Sequence, residues 1–203
     1  MDGLARARLA RAAAGLNRRR DTPLPSLVFL TDDERTPDPL NAVYALPQGS
    51  LVILRARQAL RRVALVNAIT PVAKERRLVW LVADDPELAS RAGADGAHFP
   101  EARMEEAHRW RARRTHWLIT CAAHSLGACA RIARTGADAA FLAPIFATTS
   151  HAQSRALGSM RLRAIARQSP LPVYALGGID DVTAQRLRDA NLAGLAAVGA
   201  LAV

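Results

Sequence analysis

Ala89-Ser90-Arg91-Ala92-Gly93-Ala94-Asp95-Gly96-Ala97-His98-Phe99 returns further along the chain as Ile132-Ala133-Arg134-Thr135-Gly136-Ala137-Asp138-Ala139-Ala140-Phe141-Leu142. A weaker copy follows as Leu187-Arg188-Asp189-Ala190-Asn191-Leu192-Ala193-Gly194-Leu195-Ala196. Each copy ends a helix on glycine or asparagine, the residues that accept a left-handed C-cap, and then enters a short apolar strand. A strand that follows a helix and lacks polar alternation is buried on both faces, as in a parallel sheet. The unit is therefore a repeated helix–turn–strand step.

The same rule, carried outward, predicts eight strands: Leu27–Thr31, Leu51–Leu54, Leu78–Val82, Gly96–Phe99, Trp117–Cys121, Ala139–Leu142, Val173–Leu176 and Leu195–Val198. Helices are expected between them, among them Ala59–Ile69, Met104–Arg113, Leu126–Arg134, Met160–Gln168 and Val182–Ala190. Eight strands alternating with helices predict an α/β fold of the (β/α)8 TIM-barrel type, with an open doubly wound sheet as the alternative. Length favours one domain, residues 1–203, with a basic helix over 1–22 and the barrel over 23–203. Little chain follows the eighth strand, so the last helix is expected to be short or missing. The N-terminal helix or a second copy of the chain, as a homodimer, would then cover that flank.

Composition limits the alternatives. Half the residues are hydrophobic but only 4% are aromatic, so the core is expected to be built from Ala, Leu, Val and Ile. The net charge of +10 raises nucleic-acid binding. Yet arginine is spread along the whole chain and few aromatics sit among the arginines, which argues against a stacking platform and against that partner. Cys121 and Cys129 have no metal or redox spacing and read as buried thiols of a reducing, cytoplasmic compartment. No apolar run reaches the roughly 20 residues that span a bilayer. The stretch Leu4–Arg11 has the arginine-rich, acid-poor composition of a transit peptide. Leu9, Ala12, Ala13 and Leu16 also fall on one helical face, and a surface helix ending in Arg18-Arg19-Arg20 is the reading adopted.

Barrels of this kind place chemistry at the C-terminal strand ends and phosphate after strands seven and eight. Gly177-Gly178 and Val198-Gly199 stand there, and glycine lets backbone amides approach an anion. The long segment after strand six carries Thr148, Ser150 and His151, suited to an anion lid. Arg55 and Arg57 after strand two are alternate residues that could clamp a second anion, and Asp84 after strand three is a candidate metal carboxylate.

Taken together, Leu27–Asp32, Gly93–His98, Ala123-His124-Ser125, Ala143-Pro144-Ile145-Phe146 with Thr148, and Val173–Ile179 resemble the thiamine phosphate synthase/TenI family in order and spacing. The resemblance implies a barrel joining a hydroxymethylpyrimidine diphosphate to a thiazole phosphate. Diphosphate leaves first, with its charge met by magnesium (Mg2+) and basic side chains. It also implies site residues, and here the chain departs from the pattern. The family's Gln-x-Arg-x-Lys reads Ile53-Leu54-Arg55-Ala56-Arg57, and its Asn-Asp pair reads Ala83-Asp84. His-x-Gly-Gln-x-Asp reads His98-Phe99-Pro100-Glu101-Ala102-Arg103, an arginine replacing a metal ligand. Ser-x-His reads Ala122-Ala123-His124, and Thr-x-Thr-Lys reads Thr148-Thr149-Ser150-His151.

Strand eight has Val198-Gly199-Ala200 where the resemblance implies a serine; the thiazole-phosphate half is thus expected to be largely intact and the magnesium–diphosphate half degraded. Losing one preorganised charge-stabilising contact costs about 3–4 kcal/mol, or about 10²–10³ in rate. Two alternatives follow: a TenI-type thiazole tautomerase, with His151 or His124 replacing a catalytic histidine that is Pro144 here, or a non-catalytic binder of thiazole or thiamine phosphate.

Overall fold

The computed structural model describes residues 3–148 and 155–202. Eight strands form a closed parallel barrel in chain order: β1 (Leu27–Leu30), β2 (Leu51–Leu54), β3 (Val79–Ala83), β4 (Gly96–Phe99), β5 (Leu118–Ala123), β6 (Ala139–Leu142), β7 (Val173–Leu176) and β8 (Gly194–Ala197). Closure comes from β1 pairing with β8, with Val28 opposite Ala196. Nearly every strand residue is buried, as a sheet covered on both faces requires. Val28, Leu51, Leu81, Phe141, Tyr174 and Ala196 fill the interior, and the opposite faces join the larger core beneath the helices.

The repeat has a physical cause. Gly93 and Gly136 adopt φ of 72° and 78°, the left-handed turn that ends a helix. The aspartate two residues later brackets a residue of the preceding strand. Asp95 donates its N–H to the Trp80 carbonyl (3.0 Å) and accepts the Trp80 N–H on its carboxylate (2.9 Å). Asp138 does the same at Ile119, at 2.8 and 2.7 Å. The side chain adds a rung where the strand ladder would otherwise leave a donor unpaired.

The helices are α1 (Gly3–Arg20), α2 (Leu40–Tyr44), α3 (Ala59–Glu75), α4 (Pro86–Ala92), α5 (Glu105–Arg113), α6 (Leu126–Arg134) and α7 (Gly158–Gln168). Between β7 and β8 the expected helix over 182–190 is only a 3-10 segment, Thr183–Leu187. Asp180 starts it, accepting the N–H groups of Val182 and Thr183 at 3.0 and 2.7 Å. After β8, residues 199–201 make only a turn. The flank is covered by α1, whose Ala5, Leu9, Ala13 and Leu16 are buried. Asn17 Nδ2 fastens α1 there, donating to the carbonyls of Leu24 (2.9 Å) and Ala193 (2.8 Å). Cys121 and Cys129 are free and buried, and burial pushes the Cys121 thiol up to about 12. Among the described residues, no helix is long and apolar enough to cross a membrane.

Candidate functional site

The C-terminal strand ends open onto two adjoining cavities. One, of about 410 Å³, is walled by the segments after β6, β7 and β8 and reaches round to β1 and β2. The other, of about 580 Å³, lies over β1 to β5. Arg55, just past β2, lines both.

The first cavity brings together Arg55, Thr148, Gly177, Gly178, Val198 and Gly199. Gly177 and Gly178 have φ of 94° and 66°, a region that favours glycine. They also pack tightly: a Cβ on Gly178 would lie 2.7 Å from Phe146 Cβ, and one on Gly177 2.9 Å from Pro144 Cα. The N–H groups of Ile145 and Phe146 bond the carbonyls of Leu176 and Gly177, both at 3.0 Å. This turn is therefore built against the β6 segment. Gly199 differs, because a Cβ there would meet nothing within 4 Å. The N–H groups of Gly178, Ile179, Gly199 and Ala200 donate to no acceptor among the described residues. These four residues, on two turns, all line the one cavity.

Arg55 is fixed from both ends. The buried Thr31 Oγ1 donates to the Arg55 carbonyl (3.0 Å) and accepts its N–H (2.8 Å), while Asp32 pairs with the guanidinium. Asp32 also accepts the N–H groups of Glu34 and Arg35, both at 3.2 Å. Burial pushes the Asp32 carboxyl up, but these bonds and the Arg55 charge outweigh it and hold it below its ordinary value. The tight loop so formed presents Arg35 to the glycine-lined cavity.

In the second cavity the arginines are already paired. Arg57 meets Glu34 at 3.0 Å, and Arg62 meets Asp85 at 3.3 Å. Asp33 accepts the Arg57 N–H (2.8 Å) and bonds Arg61 Nε (2.7 Å). His98 lines this cavity while 8% exposed, its Nδ1 2.9 Å from Thr120 Oγ1 and its ring edge-on to Phe141. Burial, followed by the Arg55 charge, pushes its pKa down to about 4, so the ring is neutral at pH 7. Nε2 has no partner among the described residues.

His124 lines neither cavity; it sits past β5 with Nδ1 2.7 Å from the Ala143 carbonyl. A carbonyl only accepts, so Nδ1 carries the hydrogen and Nε2 is the basic nitrogen of the neutral ring. Ser150 and His151 lie outside the described residues. Sequence reasoning passed over Arg35, Asp32 and His98 as ligand-facing groups. Asp32 and His98 stand at C-terminal strand ends, the one signal that could have flagged them.

Residues 27–201 match the family model described as thiamine monophosphate synthase. The chain belongs to the thiamine monophosphate synthase family. It is 35% identical to the thiamine-phosphate synthase of Chloroflexus aurantiacus, over 78% of this chain and 84% of that one. It is 31% identical to the putative thiamine-phosphate synthase 2 of Aquifex aeolicus over 57% of this chain, a match spanning 61% of that protein, less than two thirds of its length. Among solved structures it resembles the thiamine phosphate pyrophosphorylase of Pyrococcus furiosus, with a TM-score of 0.72 and 20% identity over 85% of this chain and 84% of that one, a likeness of fold.

Magnesium, which the family generally uses, would have to bind at Asp84, and these residues do not fit it. Asp84 Oδ1 is taken by the Arg103 guanidinium, which also donates to the Asp84 carbonyl at 3.0 Å. Glu106 accepts two further bonds from Arg103, at 2.6 and 2.7 Å, which hold its carboxyl below its ordinary value. A divalent ion at Asp84 would sit beside a fixed positive charge and lack the oxygen ligands it needs. Among the described residues, no group of three or more His, Cys, Asp or Glu is placed to hold a metal.

Proposed function

We propose that this family member binds a phosphorylated thiazole-type ligand in the glycine-lined cavity, and that it has given up the metal-assisted departure of diphosphate. The observation that carries this is the set of N–H groups without protein acceptors at Gly178, Ile179, Gly199 and Ala200, residues that line one cavity. Arg35 and Arg55 add positive charge to the same wall, suited to a phosphate dianion. The opposing half carries Arg103 paired to Asp84 where the resemblance calls for metal ligands.

Two measurements test it. Calorimetry should show thiazole phosphate binding that weakens at least about tenfold, or 1.4 kcal/mol, in Gly199→Val, whose new side chain enters open cavity. Gly178→Val is the poorer probe, because its Cβ would first collide with Phe146. Diphosphate release from both substrates with added magnesium should stay at the uncatalysed rate. Magnesium-stimulated release would overturn the second half of the proposal.

A second reading has one observation in its favour. The hydrogen bond from His124 Nδ1 to Ala143 leaves Nε2 as a base near the barrel mouth, as a tautomerase requires. Metal-free tautomerisation that disappears in His124→Ala would favour it over binding alone.

A further inference from the structure

The 3-10 segment Thr183–Leu187 follows closely on the Gly177-Gly178 turn. With about three residues per turn, side chains three apart eclipse on one face, whereas in an α-helix they would lie about 60° apart. Thr183 and Arg186 are such a pair, and both reach the segments after β6 and β7. Thr183 Oγ1 donates to the Gly178 carbonyl and accepts the Asp180 N–H, both at 2.9 Å. The Arg186 guanidinium lies over the Phe146 ring, 4.8 Å from its centroid. Arg163 Nη2 donates to the Arg186 carbonyl at 2.9 Å, which ties α7 to the same segment. Among the described residues Arg186 makes no ion pair, so no carboxylate competes with the ring for its charge.

Phe146 connects this contact to the cavity. The ring-bearing residue is buried, its N–H bonds the Gly177 carbonyl at 3.0 Å, and a Cβ on Gly178 would lie 2.7 Å from its own Cβ. The Gly178 backbone therefore rests on Phe146 with no side chain between them. A displaced Phe146 would carry the turn, and its free Gly178 N–H, out of place. Thr148, two residues past Phe146, lines the same cavity. Arg186 does not line it.

We infer that Arg186 is a positioning residue for the glycine-lined cavity, acting through Phe146 to hold the segment after β6 against the Gly177-Gly178 turn. Its effect on affinity rests on the ligand reading proposed above; its hold on Phe146 does not. One short segment thus serves both loops, with Thr183 fixing the β7 turn and Arg186 the β6 side. A cation over an exposed aromatic face contributes an attraction that corresponds to about two- to fivefold in an equilibrium constant.

Two measurements on the full chain test this: calorimetry with thiazole phosphate, and hydrogen exchange at the Phe146 amide without ligand. Arg186→Gln, which removes the cation, should weaken binding about two- to fivefold and speed that exchange by a similar factor. Arg186→Lys, which keeps a cation over the ring, should return both values close to those of the wild type. In a Phe146→Leu background, Arg186→Gln should have no further effect on either. Unchanged affinity in Arg186→Gln, or equal losses in Arg186→Gln and Arg186→Lys, would overturn the inference. So would a loss that persists in full beside Phe146→Leu, since Arg186 would then act on the ligand's charge directly. Should Phe146→Leu not fold, the comparison of Arg186→Lys with Arg186→Gln decides. If the wild-type chain does not bind thiazole phosphate, the ligand reading fails by itself. Exchange at Phe146 then decides alone, and a rate unchanged in Arg186→Gln would overturn the role given to Arg186.

Discussion

At the scale of single residues, burial and pairing decide protonation. The unfolded chain returns His98 to its ordinary value near 6.5, while burial in the barrel lowers it to about 4. Between those values the unfolded state binds more protons, so stability is lost as pH falls from about 6.5 to about 4. The shift corresponds to about 3 kcal/mol at most. Urea denaturation at pH 7 and pH 4.5 should show this loss, and His98→Gln should remove most of it. A slope unchanged in that variant would assign the acid sensitivity elsewhere. Thr31 offers a second test. Thr31→Val keeps the shape but strips the Arg55 backbone of both its partners, at a cost of about 1–3 kcal/mol. Ligand affinity should fall with it, because Arg55 faces both cavities. That Gly177, Gly178 and Gly199 line the cavity was legible in the sequence because their type and strand-end position coincide. Arg35 was not, since a loop of five residues closed by Asp32 and Thr36 has no periodicity to read.

At the scale of elements, the repeated Gly-Ala-Asp turns show why a short motif could reveal a barrel. The left-handed glycines Gly93 and Gly136 follow from propensity, whereas Asn191 in the weaker copy does not take the left-handed conformation expected of it; the aspartate's bond to the neighbouring strand emerges only once the strands are side by side. Asp138→Ala should expose this rung. It leaves the Ile119 N–H unpaired and removes the carboxylate partner of Arg111, which keeps its bonds to three backbone carbonyls, costing about 1–3 kcal/mol, with faster amide exchange at Ile119. Gly194 has a different constraint: a Cβ there would come 1.9 Å from the Ser26 carbonyl oxygen, so Gly194→Ala should be more damaging still. The strand boundaries expected from sequence agree with the observed ones within two residues, because apolar runs bounded by turns leave little choice. The segment 182–190 departs more, since Asp180 and Thr183 cap a turn too tight to continue as an α-helix.

At the scale of the whole molecule, the positive charge is dispersed and much of it is paired. Arg8 meets Asp181, Arg111 meets Asp138 and Arg131 meets Glu101, on different sides of the barrel. With its arginines so dispersed and paired, the chain should lack in a DNA titration the steep salt dependence of phosphate-tracking proteins. The mouth is where charge is organised, and its ion pairs, Arg55 with Asp32, Arg57 with Glu34 and Arg103 with Asp84, could not be read from sequence. The counts of Arg, Asp and Glu are visible there, but which pairs with which is a property of the closed ring.

That ring is completed by α1, whose Leu9 and Leu16 are buried beside β8 and whose Asn17 bonds Ala193 across a separation of 176 residues. Leu9→Ala should cost about 2–5 kcal/mol by opening this seam. The timing of assembly follows from the same arrangement. The helix that precedes every strand in the chain has its docking surface on the strand that comes after all the others. During synthesis α1 therefore emerges with an apolar face that β1 alone covers only in part, while the local helix–strand units between can already form. Closure must wait for the longest loop in the molecule, the slow step that contact-order arguments anticipate. Refolding should accordingly show early helix formation and a late, single event in which the β1–β8 pairing and the burial of α1 appear together.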